Sequence, residues 1–136
     1  MPGKQKTLLI IKPDAVKRNL IGRILRMVEE AGFRVVNLKH LTLSKNTAGK
    51  FYHVHKGKAF LPELVEFMSS GPCVPVLLET TGSIDRLREL IGATDPAKAL
   101  PGSIRKMYAL SMTMNAVHAS DSVKSAKFET KFFFGK

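Results

Sequence analysis

An unbroken apolar run near the N-terminus constrains the fold of this chain more than any other feature. Residues 7–11 read Thr-Leu-Leu-Ile-Ile. Successive side chains of a strand point to opposite faces of its sheet, so a strand that is apolar at consecutive positions needs cover on both faces. We therefore predict that these residues form a central strand of a sheet that is covered on both sides.

Helical and strand-like patterns alternate along the remainder of the chain. Apolar residues at helical spacing, together with caps and breakers, predict helices over residues 21–31, 45–54, 61–68, 83–91 and 122–134. Apolar runs predict further strands over residues 33–43 and 74–79 and between residues 108 and 119. This order predicts an α+β fold, a ferredoxin-like split βαβ sandwich with a four-stranded antiparallel sheet covered by helices.

Length and composition indicate an ordinary globular chain. A chain of 136 residues is long enough for one domain with its own core, and we predict a single domain over residues 1–136. Its longest apolar runs fall far short of the roughly 20 residues that a membrane-spanning helix needs, so no membrane association is expected. Cys73 is the only cysteine, which excludes an intrachain disulfide and favours a reducing compartment, with the cytoplasm as the expected location.

The high positive net charge is the most unusual property of the composition. Twenty-two Lys and Arg residues against 11 Asp and Glu residues give a formal charge of +11. Such a balance favours anionic partners, which include nucleotides, nucleic acids and acidic membrane surfaces, but it does not choose among them. The basic residues are spread along the chain, so a disordered nucleic-acid-binding arm is not expected.

The segment around His118 carries most of the functional information. It reads Asn115-Ala116-Val117-His118-Ala119-Ser120-Asp121-Ser122 and leads into the last predicted helix. A neutral imidazole is a competent nucleophile near pH 7 when a neighbouring group fixes its tautomer. We therefore treat His118 as a candidate nucleophile at the start of that helix, with Ser120 or Ser122 as the N-cap.

Glu129 is the unusual residue of that last helix. Three lysines share the face that we expect to meet solvent, and Glu129 falls within the opposite stripe of Ser122, Val123, Ala126, Thr130 and Phe133. A carboxylate on a packing face is unfavourable unless something pairs with it. Spacing leaves two alternatives open: a buried salt bridge with an arginine, or a hydrogen bond that orients the ring of His118.

Phosphate-binding motifs narrow the chemistry further. The chain has neither G-x-x-x-x-G-K-[ST] nor G-x-G-x-x-G, which excludes P-loop chemistry and argues against a dinucleotide fold and a protein kinase. Cationic and hydroxyl groups nevertheless lie where the predicted elements turn, at Lys12, Arg88, Thr94 and Arg105. Each alone fits a solvated surface residue. Together with a histidine nucleophile, they indicate phosphoryl transfer through a phosphohistidine.

Several motifs in register resemble the nucleoside diphosphate kinase family. The segment of residues 115–122 resembles the active-site signature of that family, and residues 7–16 resemble its first strand and its lysine. Further matches in order and spacing are Phe51-Tyr52, Phe60, Ser70-Gly71-Pro72, Gly92-Ala93-Thr94-Asp95-Pro96 and Pro101-Gly102-Ser103-Ile104-Arg105. The resemblance covers residues 6–134, almost the whole chain.

The resemblance implies a reversible ping-pong transfer of the γ-phosphate from ATP or another nucleoside triphosphate to a nucleoside diphosphate. It implies that His118 is the nucleophile, that Glu129 holds its other ring nitrogen, and that Ser120 hydrogen-bonds Glu129. It implies that phosphates and the ribose 3′-hydroxyl are positioned by Lys12, Tyr52, Arg88, Thr94, Arg105 and Asn115. Phe60 would stack on the base. Mg²⁺ would be held mainly by the β- and γ-phosphate oxygens, with no dedicated protein ligand.

Three departures from the family pattern affect what the resemblance implies. Ala119 stands where the family carries glycine, which would introduce strain if the position required positive φ or a very close approach. Lys106-Met107-Tyr108 replaces a small residue, an acid and an aromatic, which removes a potential ion pair. The chain ends at Lys136 without the longer extension of some relatives, so the expected homo-oligomer is left between tetramer and hexamer.

Two other classes of function compete with the kinase. A basic nucleic-acid-binding domain on a ferredoxin-like sheet fits the charge, but the sequence offers no strand with stacking aromatics, so nucleic-acid binding is expected at most as a second activity. A metal site built from His40, His53 and His55 has no acidic or thiolate partner nearby in sequence. Surface histidines are the simpler interpretation of these three residues.

Overall fold

The computed structural model of the protein describes residues 3–135. Its strands are β1 (Lys4–Ile11), β2 (Arg34–Leu38), β3 (Leu41–Thr42), β4 (Pro72–Thr81) and β5 (Val117–Ala119). Its helices are α1 (Pro13–Lys17), α2 (Ile21–Glu30), α3 (Lys45–Phe51), α4 (Leu61–Met68), α5 (Ser83–Ile91), α6 (Ile104–Tyr108) and α7 (Val123–Phe134). Residues 1, 2 and 136 of the predicted domain lie outside the described part, and the single-domain assignment stays a prediction.

The strands form one antiparallel sheet in the order β2-β4-β1-β5. The first and third long strands lie side by side at its centre, which is the arrangement of a split βαβ fold. The predicted α+β fold class and antiparallel sheet are thus confirmed, with β1 central as the apolar run requires. A fifth strand, the two-residue β3, pairs with the other end of β4.

The prediction of one continuous strand over residues 33–43 is wrong, because these residues form two separate strands, β2 and β3. The pairing of β2 with β4 shifts register between Val35 and Asn37. Beyond β2, the Lys39 amide donates to the Pro75 carbonyl at 3.0 Å. Pro75 has no N–H to return the bond, so the ladder breaks at this point and resumes at Leu41.

Both faces of β1 are buried, as predicted. Leu9 and Ile11 face a core that α2 and α5 cover, whereas Leu8 and Ile10 face a second core that includes Phe51 of α3. All four of these β1 side chains have no exposed surface. Met68 of α4 and Phe133 of α7 complete the second core. The sheet is therefore a middle layer, and α7 is fixed against it by a buried stripe.

The sequence patterns did not predict the two shortest α-helices. Helices α1 and α6 each have five residues, too few to show helical periodicity. In α7 the predicted packing stripe is wrong at its start: Ser122 and Val123 are exposed, while Ala126, Thr130 and Phe133 are buried. Within residues 3–135, no helix is long and apolar enough to cross a membrane.

Candidate active site

One cavity of about 830 Å³ collects most of the candidate residues. Nine of the ten that the sequence singles out line it: Lys12, Tyr52, Phe60, Arg88, Thr94, Arg105, Asn115, His118 and Glu129. The tenth, Ser120, is fully buried and reaches the cavity only through its hydrogen bond to Glu129. Residues that are far apart in sequence thus line one concave site, which is the usual form of a small-molecule site.

His118 lies in strand β5, four positions before Ser122, the capping residue of α7, and the prediction that it stands at a helix start is therefore imprecise. It pairs with Ile10 across the β1–β5 ladder. The pairing directs its ring into the cavity, where the Phe51 ring packs edge-on with the centroids 5.5 Å apart. The His118 side chain is 20% exposed, so its ring is accessible from the cavity yet firmly supported.

The Glu129 carboxylate fixes the imidazole of His118. Its Oε1 lies 2.9 Å from His118 Nε2 and accepts a second hydrogen bond from the Ser120 hydroxyl at 2.6 Å. Among the described residues, the basic side chain paired with Glu129 is His118 and not an arginine. Of the two alternatives left by the sequence, the structure therefore contains the hydrogen bond to His118.

Helix α7 delivers Glu129 to this position because its start is well defined. Ser122 is the N-cap, and its hydroxyl accepts from the Ser125 amide at 3.0 Å. The Ser125 hydroxyl accepts in return from the Ser122 amide at 3.0 Å, which completes a capping box. The same hydroxyl donates to the Asp121 carboxylate, which lowers the pKa of Asp121.

Lys12 and Asn115 form a buried pair at the end of β1. The Lys12 ammonium donates to Asn115 Oδ1 at 2.8 Å, and the Asn115 amide group donates to the Met112 carbonyl at 2.9 Å. Burial, followed by the charge of Arg105, lowers the pKa of Lys12 to about 8, although Asp14 acts in the opposite direction. A cation held at such a cost in solvation is poised to gain from an anionic ligand.

Two arginines extend the positive wall of the cavity. Arg105 is buried and donates to the carbonyl oxygens of Gly92 at 3.1 Å and Val117 at 2.9 Å. Burial and the charge of Arg88 lower its pKa to about 10, which leaves it charged at pH 7. Arg88 of α5 donates to the Ala119 carbonyl at 3.1 Å. The backbone of β5 therefore orients both guanidinium groups beside His118.

Aromatic side chains line the other side of the cavity. Phe60 is 48% exposed, with the His55 ring edge-on at 5.1 Å and the Lys58 ammonium 5.7 Å from the centroid of its ring. The Tyr52 hydroxyl is buried without a hydrogen-bond partner among the described residues, and burial raises the pKa of Tyr52. Thr94 lies on an exposed stretch of the loop after α5.

The sequence analysis assigned no role at the site to two residues that shape it, Asp14 and Gly92. Asp14 is buried, and its carboxylate accepts from the Ala116 amide at 3.1 Å. Gly92 has φ +87°, and a Cβ there would lie 2.5 Å from Ser103 Oγ, so only glycine fits where its carbonyl meets Arg105. The signals were present in the sequence, an Asp two residues after Lys12 and a Gly at a helix end, but their partners are distant in sequence.

The departures at Ala119 and Lys106 are accommodated. Ala119 is buried in β5 opposite Leu9 and is not among the residues with positive φ, so the strain that a positive φ would cause does not arise there. The exposed Lys106 lies in α6, whose N-cap Ser103 accepts from the Lys106 amide at 3.3 Å. Within the described part of the chain, His, Cys, Asp and Glu form no cluster of three that could hold a metal ion.

Comparison with known proteins gives one consistent result. The family model described as nucleoside diphosphate kinase matches residues 5–136. The nucleoside diphosphate kinase of Chlorobaculum tepidum is 55% identical over 130 residues, which are 96% of this chain and 93% of that protein. The corresponding protein of Persephonella marina is 51% identical over 132 residues, which are 97% of this chain and 94% of that protein.

A solved structure agrees with the sequence matches. An orthorhombic crystal form of the Aquifex aeolicus nucleoside diphosphate kinase superposes with a TM-score of 0.93 at 45% identity, covering 97% of this chain and 96% of that one. The family predicted from the sequence motifs is confirmed by these matches.

The lowered pKa of Lys12 predicts an alkaline limb in the pH dependence of nucleotide use. Lys12 is mostly cationic below pH 8 and mostly neutral above it, so kcat/KM should fall as pH rises through about 8, whereas Arg105, whose pKa is about 10, stays mostly charged up to pH 9.5. Saturating nucleotide should shift this limb upward, because bound phosphate favours the ammonium form. Steady-state kinetics from pH 6 to 9.5 measure the limb and its shift. The Lys12→Met variant should turn over slowly, and its kcat/KM should not show that limb. A flat kcat/KM profile up to pH 9.5 in the unaltered protein would contradict the assignment.

Proposed function

Because the chain belongs to the nucleoside diphosphate kinase family, we propose that it transfers the γ-phosphate of a nucleoside triphosphate to a nucleoside diphosphate through a phosphohistidine on His118. The observation that carries the proposal is the hydrogen-bonded series from Ser120 through Glu129 to His118 inside a cavity lined by cations. A nucleophile, the group that orients it, and charge to neutralise phosphate are the parts this chemistry requires.

The hydrogen bond to Glu129 assigns a role to each ring nitrogen of His118. With Nε2–H donated to the carboxylate, the lone pair of the neutral ring lies on Nδ1. Nδ1 attacks the γ-phosphorus, an N–P bond forms, and the P–O bond to the β-phosphate breaks with departure of the nucleoside diphosphate. Positive charge developing on the imidazole is stabilised by Glu129. A second nucleoside diphosphate then takes the phosphoryl group by the reverse steps.

Lys12, Arg88 and Arg105 are proposed to hold the phosphates during both half-reactions. Phosphoryl transfer depends mostly on positioning and on neutralising charge over the phosphate oxygens. Burial of Lys12 and Arg105 means that these cations need little further loss of water when phosphate arrives. Asn115 fixes the Lys12 ammonium, and Thr94 and Tyr52 complete the set of polar groups around the phosphates and ribose.

Base recognition is proposed to rest on stacking against Phe60. An exposed ring face accepts any nucleobase, since every base has a π face, so purine and pyrimidine nucleotides should both serve. The sugar and phosphate contacts are common to all of them. Broad base tolerance follows from this chemistry.

Mg²⁺ is proposed to enter with the nucleotide. The ionised Asp121 carboxylate lines the cavity and can face the water shell of a hydrated cation, whereas the phosphate oxygens themselves would be the principal ligands. The ion would neutralise charge on the β- and γ-phosphates when bound. The remaining charge is neutralised by Lys12 and the two arginines.

Copies of this chain are proposed to assemble as a tetramer or hexamer, and the proposed location is the cytoplasm. Support for assembly comes from β2, an edge strand whose Val36 and Leu38 side chains are 37% and 43% exposed. Exposed apolar side chains on an open sheet edge are typical of association surfaces. The location rests on a single free cysteine, Cys73.

A covalent intermediate is the first prediction of the proposed function. Incubation with a γ-labelled nucleoside triphosphate and Mg²⁺, without acceptor, should label His118 in an acid-labile, alkali-stable form, as expected of a phosphoramidate. Adding any common nucleoside diphosphate should discharge the label. His118→Asn should abolish labelling, since the amide is not a nucleophile of this kind. Label that persists in this variant, or that maps to Ser120 or Ser122, would overturn the mechanism.

The second prediction concerns the group that orients His118. Glu129→Gln should slow phosphotransfer roughly ten- to a hundredfold, as is typical when a group orienting a reactive side chain is lost. Nucleotide affinity should stay nearly intact, because Glu129 does not belong to the cationic wall. Single-turnover rates and equilibrium binding separate these quantities. Unchanged turnover with a large fall in Tm would mean that Glu129 serves only the fold.

Nucleic-acid binding is proposed as a second activity on the strength of charge. Lys124, Lys127 and Lys131 are exposed along α7, and Lys124 also lines the cavity. Binding to such a surface should weaken steeply with salt, because phosphate contacts release counterions, and it should survive His118→Ala. Gel-shift titrations of single- and double-stranded oligonucleotides measure this. Failure to bind at low salt would remove the second activity and leave the kinase proposal unaffected.

A further inference from the structure

The turn before His118 has an unusual backbone conformation. Ala116 has φ +74°, a region that alanine rarely adopts, and it is fully buried. The Val117 amide donates to the Asn115 carbonyl at 2.9 Å, so the three residues form a γ-turn. A γ-turn whose central residue has positive φ is rare and strained, and such strain persists only where surrounding contacts hold it.

The γ-turn connects two functional side chains. Asn115, on its first residue, binds the Lys12 ammonium. Val117, the last residue of the turn, is the first residue of β5, and His118 follows it in that strand. The conformation at Ala116 therefore fixes the direction of the chain between the phosphate-binding pair and the nucleophile.

Both backbone polar groups of Ala116 are held by the segment that starts α1. The Lys12 amide donates to the Ala116 carbonyl at 2.9 Å, and the Ala116 amide donates to Asp14 Oδ2 at 3.1 Å. The first bond continues the β1–β5 pairing by one residue. The second is made by a side chain, so Asp14 is the group whose identity decides whether the Ala116 amide is satisfied.

Asp14 occupies this position against an unfavourable environment. The residue is 7% exposed, and its second oxygen, Oδ1, is buried without a hydrogen-bond partner among the described residues. Burial raises the pKa of Asp14, and the neighbouring Lys12 charge opposes that change. A position in the first turn of a five-residue helix does not by itself account for a buried carboxylate directed at a distant amide.

We propose that Asp14 is a positioning residue that holds the strained γ-turn at Ala116 and thereby keeps Asn115 and His118 in place relative to Lys12. This inference rests on the proposed function for its effect on turnover. The clamp itself, an aspartate that fixes a γ-turn, is a property of the fold and can be measured without activity.

Two substitutions separate the hydrogen bond from the charge. Asp14→Asn and Asp14→Ala both remove the negative charge beside Lys12, but only alanine removes the acceptor for the Ala116 amide. Asp14→Ala should lower the rate of His118 phosphorylation about ten- to a hundredfold, whereas Asp14→Asn should stay within about threefold of the unaltered protein. Equal losses in the two variants would assign the effect to charge and overturn the inference.

A substitution at a second site tests whether Asp14 acts by holding the γ-turn at Ala116. Glycine adopts positive φ without strain, so Ala116→Gly added to Asp14→Ala should recover about tenfold of the lost rate. A role of Asp14 confined to α1 predicts no recovery, and that result would overturn the inference. Asp85→Ala removes an exposed first-turn carboxylate from α5 and serves as the matched control.

Amide hydrogen exchange supplies the readout that does not depend on activity. Exchange of the Ala116 amide, followed by NMR, should accelerate at least tenfold in Asp14→Ala and should remain slow in Asp14→Asn and Asp85→Ala. Unchanged exchange in Asp14→Ala would overturn the clamp. An unaltered protein that takes up no phosphate would instead refute the proposed function, while the exchange result would still decide on the clamp.

Discussion

The pairing of β5 with β1 is the interaction on which the site depends. Only three residues of β5 enter the ladder, in a register that sets His118 opposite Ile10. Because Lys12 follows the buried end of β1 at once, the same register brings its ammonium to Asn115 and its amide to Ala116. A slip of one residue would turn His118 to the other face of the sheet. Val117 and Ala119 oppose such a slip, because both are buried in the core that contains Leu9 and Ile11 and would lose those apolar contacts.

The positive charge at the site is arranged by backbone carbonyl groups of β5. The carbonyl groups of Val117 and Ala119 accept hydrogen bonds from Arg105 and Arg88 and so hold two guanidinium groups beside His118. Burial, followed by the charge of Arg105, lowers the pKa of Lys12 to about 8. The cavity thus brings several cations close together, and the negative charge of a bound phosphate would relieve their mutual repulsion. The net charge of +11 is a property of the whole surface, whereas these three cations are organised by particular hydrogen bonds.

Much of this arrangement could be predicted from sequence, for identifiable reasons. The apolar run of residues 7–11 required a covered central strand, and several motifs in register identified the family and hence the fold. Patterns of period two or 3.6 cannot report short elements, which is why α1 and α6 were missed. They also cannot report contacts between residues about a hundred positions apart, such as Asp14 with Ala116. The choice between an arginine and His118 as the partner of Glu129 likewise needed three-dimensional proximity.

The central claim is that Glu129 fixes the tautomer of His118 and so dictates which ring nitrogen carries the phosphoryl group. In the structure Nε2 is hydrogen-bonded to the Glu129 carboxylate, and Nδ1 is therefore the nitrogen that we propose attacks the phosphate. NMR of the ¹⁵N-histidine-labelled protein, phosphorylated by a nucleoside triphosphate, distinguishes the two isomers by their phosphorus–nitrogen couplings to the ring. The account predicts phosphate on Nδ1 of His118 alone. Phosphate on Nε2, or a mixture of both isomers, would contradict it.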